Sequence, residues 1–227
     1  MNSTASPPLA SVVVRTMGRP TLARALASIS AQTHRPVEIV LVDAAGAGIK
    51  MAHYGNVAVR VVSRGTPLDR PRAANAGLEA ARGAWISFLD EDDEIAPQHL
   101  AQLLATATIA RLPVAYSQTK LVESGRIFGG PFNRPALLQS NYLSIHSVAF
   151  HRSLVDSGAR FDESLAMFED WDFWLQLSRA VDFAFTGQPT ALYHAGAGGS
   201  GAGTGANLDR EAVLAQRNRL MRKWNGG

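Results

Sequence analysis

The sequence predicts an α/β fold in which a mostly parallel central sheet is flanked by helices and a mixed second half follows. Two observations carry that prediction. Short apolar, valine-rich runs alternate with helix-period segments through the first half. Alternation of this kind builds a parallel sheet covered on both faces. Two of the runs stop abruptly at acids, Asp43 and Asp90-Glu91-Asp92-Asp93. The carboxyl ends of such strands border the crevice where open α/β sheets bind ligands.

The elements follow in order. Leu9–Val14 reads as a buried strand. Pro20 and Thr21 open a helix with Leu22, Ala25, Leu26 and Ile29 on one face, ending before Pro36. Val37–Val42 is a second buried strand and Val57–Val62 a third. Arg72–Ala81 is helical, with Ala74, Leu78 and Ala81 inward, and Gly83 closes it. Trp85–Leu89 is the fourth strand. Pro97 sits in the first turn of a helix whose apolar face is Leu100, Leu103 and Leu104.

Beyond it, Val114–Glu123 reads as a strand with a turn near Ser124-Gly125, and Ile145–His151 as another. Trp171–Ala180 is helical, with Trp171, Trp174 and Leu175 together. Ala195–Ala206 is almost all small residues and is expected to be mobile. Asn207 caps a last helix with Val213, Leu214, Leu220, Met221 and Trp224 on one face. There is no internal repeat and no evident linker.

Composition narrows the function classes. The chain has 227 residues, is 46% hydrophobic, carries a formal net charge of +3 and contains no cysteine. That length suits one large domain. So small a basic excess does not indicate nucleic-acid binding. The missing cysteines remove disulfides and thiolate metal sites. The N-terminus lacks a signal-peptide pattern. No run approaches the roughly 18 apolar residues of a membrane span. A cytoplasmic protein is expected. Arg210, Arg217, Arg219, Arg222 and Lys223 oppose the apolar face of the last helix. They leave peripheral contact with the inner membrane face as an option beside packing on the domain.

The acids carry the chemistry. Asp90 and Asp92 form an Asp-x-Asp pair at a strand end. That is a hard-oxygen site suited to Mg²⁺ or Mn²⁺ holding substrate phosphates. The cluster also suits a solvated loop that caps the next helix through Asp93 or Glu94. Asp43 suits either a hydrogen bond to a nucleobase N–H or a turn. Glu169-Asp170 opens a helix beside Trp171 and Trp174, as an N-cap or as a general base next to a platform for a sugar face.

Read together, the ordered pieces resemble a family 2 glycosyltransferase of the Rossmann-like GT-A fold. They are Val12-Val13-Val14-Arg15-Thr16, Leu26 to Thr33, Glu38 to Asp43, Asn75-Ala76-Gly77-Leu78, Gly83 to Asp93, Phe161 to Leu165 and Glu169 to Trp174. The resemblance runs from the first strand to about Tyr193. It implies one GT-A domain over 1–227. Within it lie a nucleotide-binding half at about 1–112, an acceptor half at 113–194, a Gly-rich loop at 195–206 and a helix at 207–227.

The resemblance also implies roles. Thr16 lies where the base-binding backbone runs, and Asp43 matches the aspartate that contacts the base. Asp90 matches a ribose and metal contact, Asp92 a metal ligand, and Asp170 the catalytic base, ahead of Glu169. His194 stands where some members carry a third metal ligand. The implied substrates are a nucleotide-diphosphate sugar and a glycan or glycolipid acceptor, with a divalent metal. The implied reaction is a single inverting displacement, and the Gly-rich run could act as a lid.

The departures are specific. Arg15-Thr16-Met17-Gly18 replaces the usual Pro-Thr-Tyr-Asn, and Asp43-Ala44-Ala45-Gly46 replaces Asp-Asp-Gly-Ser. Ala74 stands where an arginine often precedes the helix asparagine, so Arg64, Arg70 and Arg72 are candidates for the missing phosphate contact. Of these, Arg72 is the nearest replacement. Rival readings are weaker. No G-x-G-x-x-G follows the first strand, against a dinucleotide oxidoreductase. Arg15 sits where an aspartyl phosphatase would need an acid. A non-catalytic binding protein on the same fold is the remaining alternative.

Overall fold

The computed structural model describes residues 6–195 and 209–225. Most of the expected Gly-rich run and the Asn207 cap lie outside them. The first half contains β1 (Ala10–Thr16), α1 (Leu22–Ser30), β2 (Val37–Asp43), β3 (His53–Tyr54), β4 (Val57–Ser63), α2 (Arg70–Ala80), β5 (Trp85–Asp90), β6 (Glu94–Ile95) and α3 (His99–Ala110). The second half adds β7 (Val114–Leu121), β8 (Ile127–Phe128), α4 (Arg134–Gln139), β9 (Val148–His151), α5 (Arg152–Asp156), α6 (Glu169–Ala180), β10 (Ala184–Tyr193) and α7 (Arg210–Asn225).

Among the described residues the strands form one sheet in the order β3-β4-β2-β1-β5-β9-β7-β10-β6, with β8 on β7. The segment β4-β2-β1-β5 is parallel. The second half joins it through antiparallel β9, which pairs with both β5 and β7. The chain builds outward from β1 to β4 and then returns to place β5 on the other side of β1. The carboxyl ends of β1 and β5 therefore flank the point where the winding reverses, the usual ligand crevice of such sheets.

Strand alternation feeds two cores. Val13, Val40, Val42 and Phe88 face one side with α2 and α6. Val12, Val14, Ile39, Leu41 and Leu89 face the other with α1. β1, β2 and β5 are thus buried on both faces, which is why they read as apolar runs, whereas β4 nearer the sheet edge exposes Ala58 and Ser63. Gly77 lets α2 lie close on β1, because a Cβ there would collide with the Val13 side chain. Gly77→Ala is expected to cost about 2 kcal/mol of stability by overpacking, read as a lower denaturant midpoint at unchanged m-value.

Several expectations need correction. Ile145–His151 is not one strand: a 3-10 turn, Ile145–Ser147, precedes β9. Pro97 lies before α3 rather than in its first turn, and neither Asp93 nor Glu94 caps that helix, whose N-cap is Gln98. On α7 the expected apolar face is only partly inward. Leu220 is buried and Met221 and Trp224 pack on the core, whereas Leu214 is exposed. The helix is held by polar contacts as well: Asp172 on α6 accepts hydrogen bonds from Trp224 Nε1 and Gln176 Nε2, and pairs with Lys223. Among the described residues no helix is long and apolar enough to cross a membrane.

Candidate active site

The strand ends and the start of α6 enclose two adjoining cavities of about 470 and 380 Å³. Arg15, Arg70, Asp90 and Asp92 line both. The larger continues past Asp170, Asn141, His146, Phe168 and Tyr193 to His194. The smaller runs along Thr16, Met17 and Arg19 towards Leu68 and Asp69. Together they have the size of a cofactor-class ligand site.

Sheet register places the central ion pair. Arg15 and Asp90 are direct partners across the parallel β1–β5 ladder. Arg15 Nε and Nη2 donate to Asp90 Oδ1 at 2.9 and 2.7 Å, and Nη2 also reaches Oδ2 at 3.0 Å. Its Nη1 donates to Glu169 Oε1 at 3.0 Å and to the Arg70 carbonyl at 3.4 Å. The Arg15 side chain is only 8% exposed. Burial alone would make it harder to ionise, but the two facing acids raise its pKa above the usual arginine value. Burial likewise pushes the Asp90 carboxyl up, and the charge of Arg15 outweighs it, holding Asp90 below the ordinary carboxylate range.

The neighbouring acids titrate in the opposite direction. Burial, then repulsion from Asp90, raises Asp92. Burial pushes Asp93 up to about 8. Asp93 is enclosed: Oδ1 accepts from the His194 backbone N–H at 2.9 Å, and Oδ2 lies 3.3 Å from His146 Nδ1. His146 is itself buried, and desolvation lowers its pKa to about 4.

Asp170 sits in the first turn of α6. Its Oδ1 accepts from the Trp171 backbone N–H at 2.7 Å and its Oδ2 from Asn141 Nδ2 at 3.2 Å. Burial, reinforced by the adjacent Glu169 charge, lifts its pKa to about 7. That value leaves the group divided between acid and base near neutrality, as a general base requires. Phe168, the α6 N-cap, is left-handed at φ 65° and turns the chain so that helix and acids start at the cavity wall. Neither Glu169 nor Asp170 is the N-cap.

Other predicted residues are committed elsewhere. The Asp43 carboxylate is fully buried and accepts from the backbone N–H groups of Ala47, Gly48 and Ile49 and from Ser63 Oγ. It holds its own loop. The Thr16 hydroxyl donates to Glu91 Oε2 at 2.6 Å and accepts from the Gly18 N–H, again inside the protein. Arg72 is exposed and pairs with Asp69 and Glu163. Arg64 pairs with Glu79 on the surface. Of the three candidate arginines, Arg70 is the one that lines the cavities.

A divalent ion can be weighed against the donors present. A carboxylate offers about four lone-pair positions, and Arg15 takes three contacts on Asp90. That leaves room for one more ligand. Asp92, crowded by Asp90, would gain from a cation. Two carboxylates completed by substrate oxygens is the ordinary way Mg²⁺ is held beside phosphates. His194 is engaged at one nitrogen: Nε2 lies 2.7 Å from Glu94 Oε1, whereas Nδ1 has Glu123 Oε1 at 3.8 Å, beyond hydrogen-bond distance. Among the described residues no three acid or imidazole groups converge on one ion position.

Sequence reasoning missed the bridging role of Arg15, the His146 wall and the Asn141 contact to Asp170. Arg15 could have been flagged as a charge inside an apolar strand. The other two had no signal, since they lie on irregular segments far from their partners in sequence.

Comparison with known proteins agrees with this architecture. The succinoglycan biosynthesis protein ExoO of Rhizobium meliloti (strain 1021) is 33% identical over 177 residues, covering 66% of this chain and 50% of that protein. The uncharacterized glycosyltransferase YwdF of Bacillus subtilis (strain 168) is 28% identical over 193 residues, 74% of this chain and 68% of that one. This chain thus spans half the length of ExoO. Among solved structures, S. aureus TarS 1-349 in complex with UDP-GlcNAc superposes with a TM-score of 0.69 at 18% identity, covering 82% of this chain and 58% of that one. The mannosyltransferase PcManGT from Pyrobaculum calidifontis, in complex with GDP-Man and Mn²⁺, gives 0.64 at 16% identity, covering 84% and 59%. Both share the fold of a mixed, largely parallel sheet flanked by helices. The sequence profile described as Glycosyl transferase family 2 matches residues 11–134, from β1 past the Asp-x-Asp strand end to the start of α4. The chain belongs to that family.

Proposed function

We propose that the protein transfers a sugar from a nucleotide-diphosphate sugar to an acceptor hydroxyl in one inverting displacement. The observation that carries this is the single crevice shared by Asp90, Asp92 and Asp170: two strand-end carboxylates beside one carboxyl raised to about 7. Two fold neighbours are complexes with UDP-GlcNAc and with GDP-Man and Mn²⁺, which supports a donor of this class. The naming of a relative for succinoglycan biosynthesis supports a glycan or glycolipid acceptor.

The roles divide along the crevice. Asp90 and Asp92 would hold a divalent ion together with diphosphate oxygens, where it would act as a Lewis acid on the leaving group. Arg70 faces the same space and adds positive charge. The smaller cavity takes the nucleoside, with the Thr16–Arg19 backbone as one wall. The larger takes the acceptor, with Phe168 and Tyr193 as apolar surfaces for a sugar ring. Asp170, oriented by Asn141 and the Trp171 amide, accepts the acceptor hydroxyl proton. The acceptor oxygen attacks the anomeric carbon as its bond to the diphosphate breaks, and the nucleoside diphosphate leaves. The carbon passes through an oxocarbenium-like state and inverts.

The deciding experiment incubates the protein with a panel of nucleotide sugars and Mn²⁺ and measures nucleoside diphosphate release, with and without chelator. Chelator-sensitive release from one donor is expected. Donor binding without release from any of the panel would turn the reading into a binding protein. The kcat/KM profile adds a second check. Asp170 must be deprotonated to act, so the rate is expected to rise with pH to a plateau above about 7. An activity that instead falls as pH rises towards 7 would exclude Asp170 as the base.

A further inference from the structure

We propose that Arg15 is a positioning residue that ties the donor side of the cleft to the base side, holding Asp90 with one edge of its guanidinium and Glu169 with the other. The proposal rests on the transferase reading above for what the two sides do.

The geometry is specific to a guanidinium. Nε and Nη2 take Asp90, and Nη1 takes Glu169 and the Arg70 carbonyl. One planar group thus meets acids 75 and 154 residues away in sequence. It contacts the two elements that carry the chemistry, the end of β5 and the start of α6, and the first turn of α2 as well. Every Arg15 nitrogen has a partner in the protein, so its work is done on side chains and not on a ligand phosphate. Lysine could not replace it, since an ammonium is a point charge and lacks the fork.

The arrangement also sorts the Glu169-Asp170 pair. Both acids line the larger cavity, but Glu169 is buried with Oε1 taken by Arg15, whereas Asp170 is half-buried and keeps only Asn141 and an amide. Arg15 therefore decides which of two adjacent acids is free to meet a substrate. It also places a positive charge where it opposes protonation of Asp170, against Glu169 and Asp90, which favour it.

The test is a double-mutant cycle with Arg15→Lys, Glu169→Gln and their combination, each checked for folding by thermal unfolding. Arg15→Lys keeps a charge in the buried site, and Glu169→Gln keeps the shape. Each single variant is expected to lose about 100-fold in kcat, the cost of misplacing a reacting group by about an ångström, with donor KM within about threefold. The combination is expected to lose no more than Arg15→Lys alone, because Glu169→Gln breaks a link that Arg15→Lys has already broken. Losses that multiply, or a loss confined to KM, would overturn the proposal.

A second readout needs no substrate. The Asp170 carboxyl is titrated by ¹³C NMR in wild type, in Arg15→Met and in Glu169→Gln. Its midpoint is expected to rise in Arg15→Met and to fall in Glu169→Gln. An unmoved midpoint in folded Arg15→Met rejects the link. A wild type inert towards every nucleotide sugar, with these midpoints moving as stated, rejects the transferase reading and keeps the positioning.

Discussion

Asp170→Asn is expected to lower kcat by about 10³-fold, some 4 kcal/mol of transition-state stabilisation, while affinity for the nucleotide donor stays within about threefold. The asymmetry follows from position. Asp170 lines the larger cavity alone, the one proposed for the acceptor, whereas Asp90 and Asp92 line both. Asparagine keeps the size and an acceptor for the Trp171 N–H but cannot take a proton. Calorimetry with the donor and a steady-state assay separate the two quantities. Turnover close to wild type would remove Asp170 from the mechanism.

The same substitution has a stability consequence of opposite sense. The folded-state pKa of Asp170, about 7, lies above the ordinary aspartate value of 3.8. Above the unfolded value the unfolded chain releases this proton more readily, so the group costs stability progressively as pH rises to 7 and fully beyond. Asparagine removes that cost. The variant should therefore melt higher than wild type at pH 8 and show a smaller gain at pH 4. An inactive but stabilised variant is the mark of a site that trades stability for function.

The largest loss of stability is expected from Asp43→Ala, about 3 kcal/mol or more, because it strands three backbone N–H groups and the Ser63 hydroxyl beside a buried strand end. Burial raises the Asp43 carboxyl, but the amide hydrogen bonds outweigh it and its folded pKa is depressed. The sign is therefore the usual one for a carboxylate. Its contribution is complete above the unfolded value of 3.8 and is lost as pH falls through the lower folded value. The gap between wild type and Asp43→Ala should narrow below pH 4. Denaturant melts at pH 7 and pH 3 measure it. A substitution that left the melt unchanged would show that the loop at 47–49 does not depend on Asp43.

The first half of the sheet was legible because β1, β2 and β5 are buried on both faces and read as apolar runs, and β4 keeps enough valines to read as a strand. The two-residue strands β3, β6 and β8 were not, since so short a pairing leaves no periodicity. In β10, Gly187 and Pro189 mask a strand whose pairing with β7 shifts register around them. The acids were legible as residue types at strand and helix ends. Their partners were not. Asp43 reads the same whether it meets a base or its own loop amides, and only the fold shows that those amides fill it. His194 reads equally as a satisfied histidine or as a third metal ligand, and only the fold shows Glu94 beside its Nε2. Arg72 and Arg70 differ by two residues in sequence, and the helix phase sends only Arg70 to the cleft.

The pairing of Arg15 with Asp90 across β1 and β5 also decides when in folding competence arrives. A slip of one residue between these strands would turn the two side chains to opposite faces. Their ladder is central and parallel, the part of a sheet that opens last. No partially assembled chain can present the charge arrangement without having formed its most protected hydrogen bonds. Ligand affinity during refolding should therefore appear with the slowest-exchanging amides of these two strands, making the cleft a gauge of completed assembly.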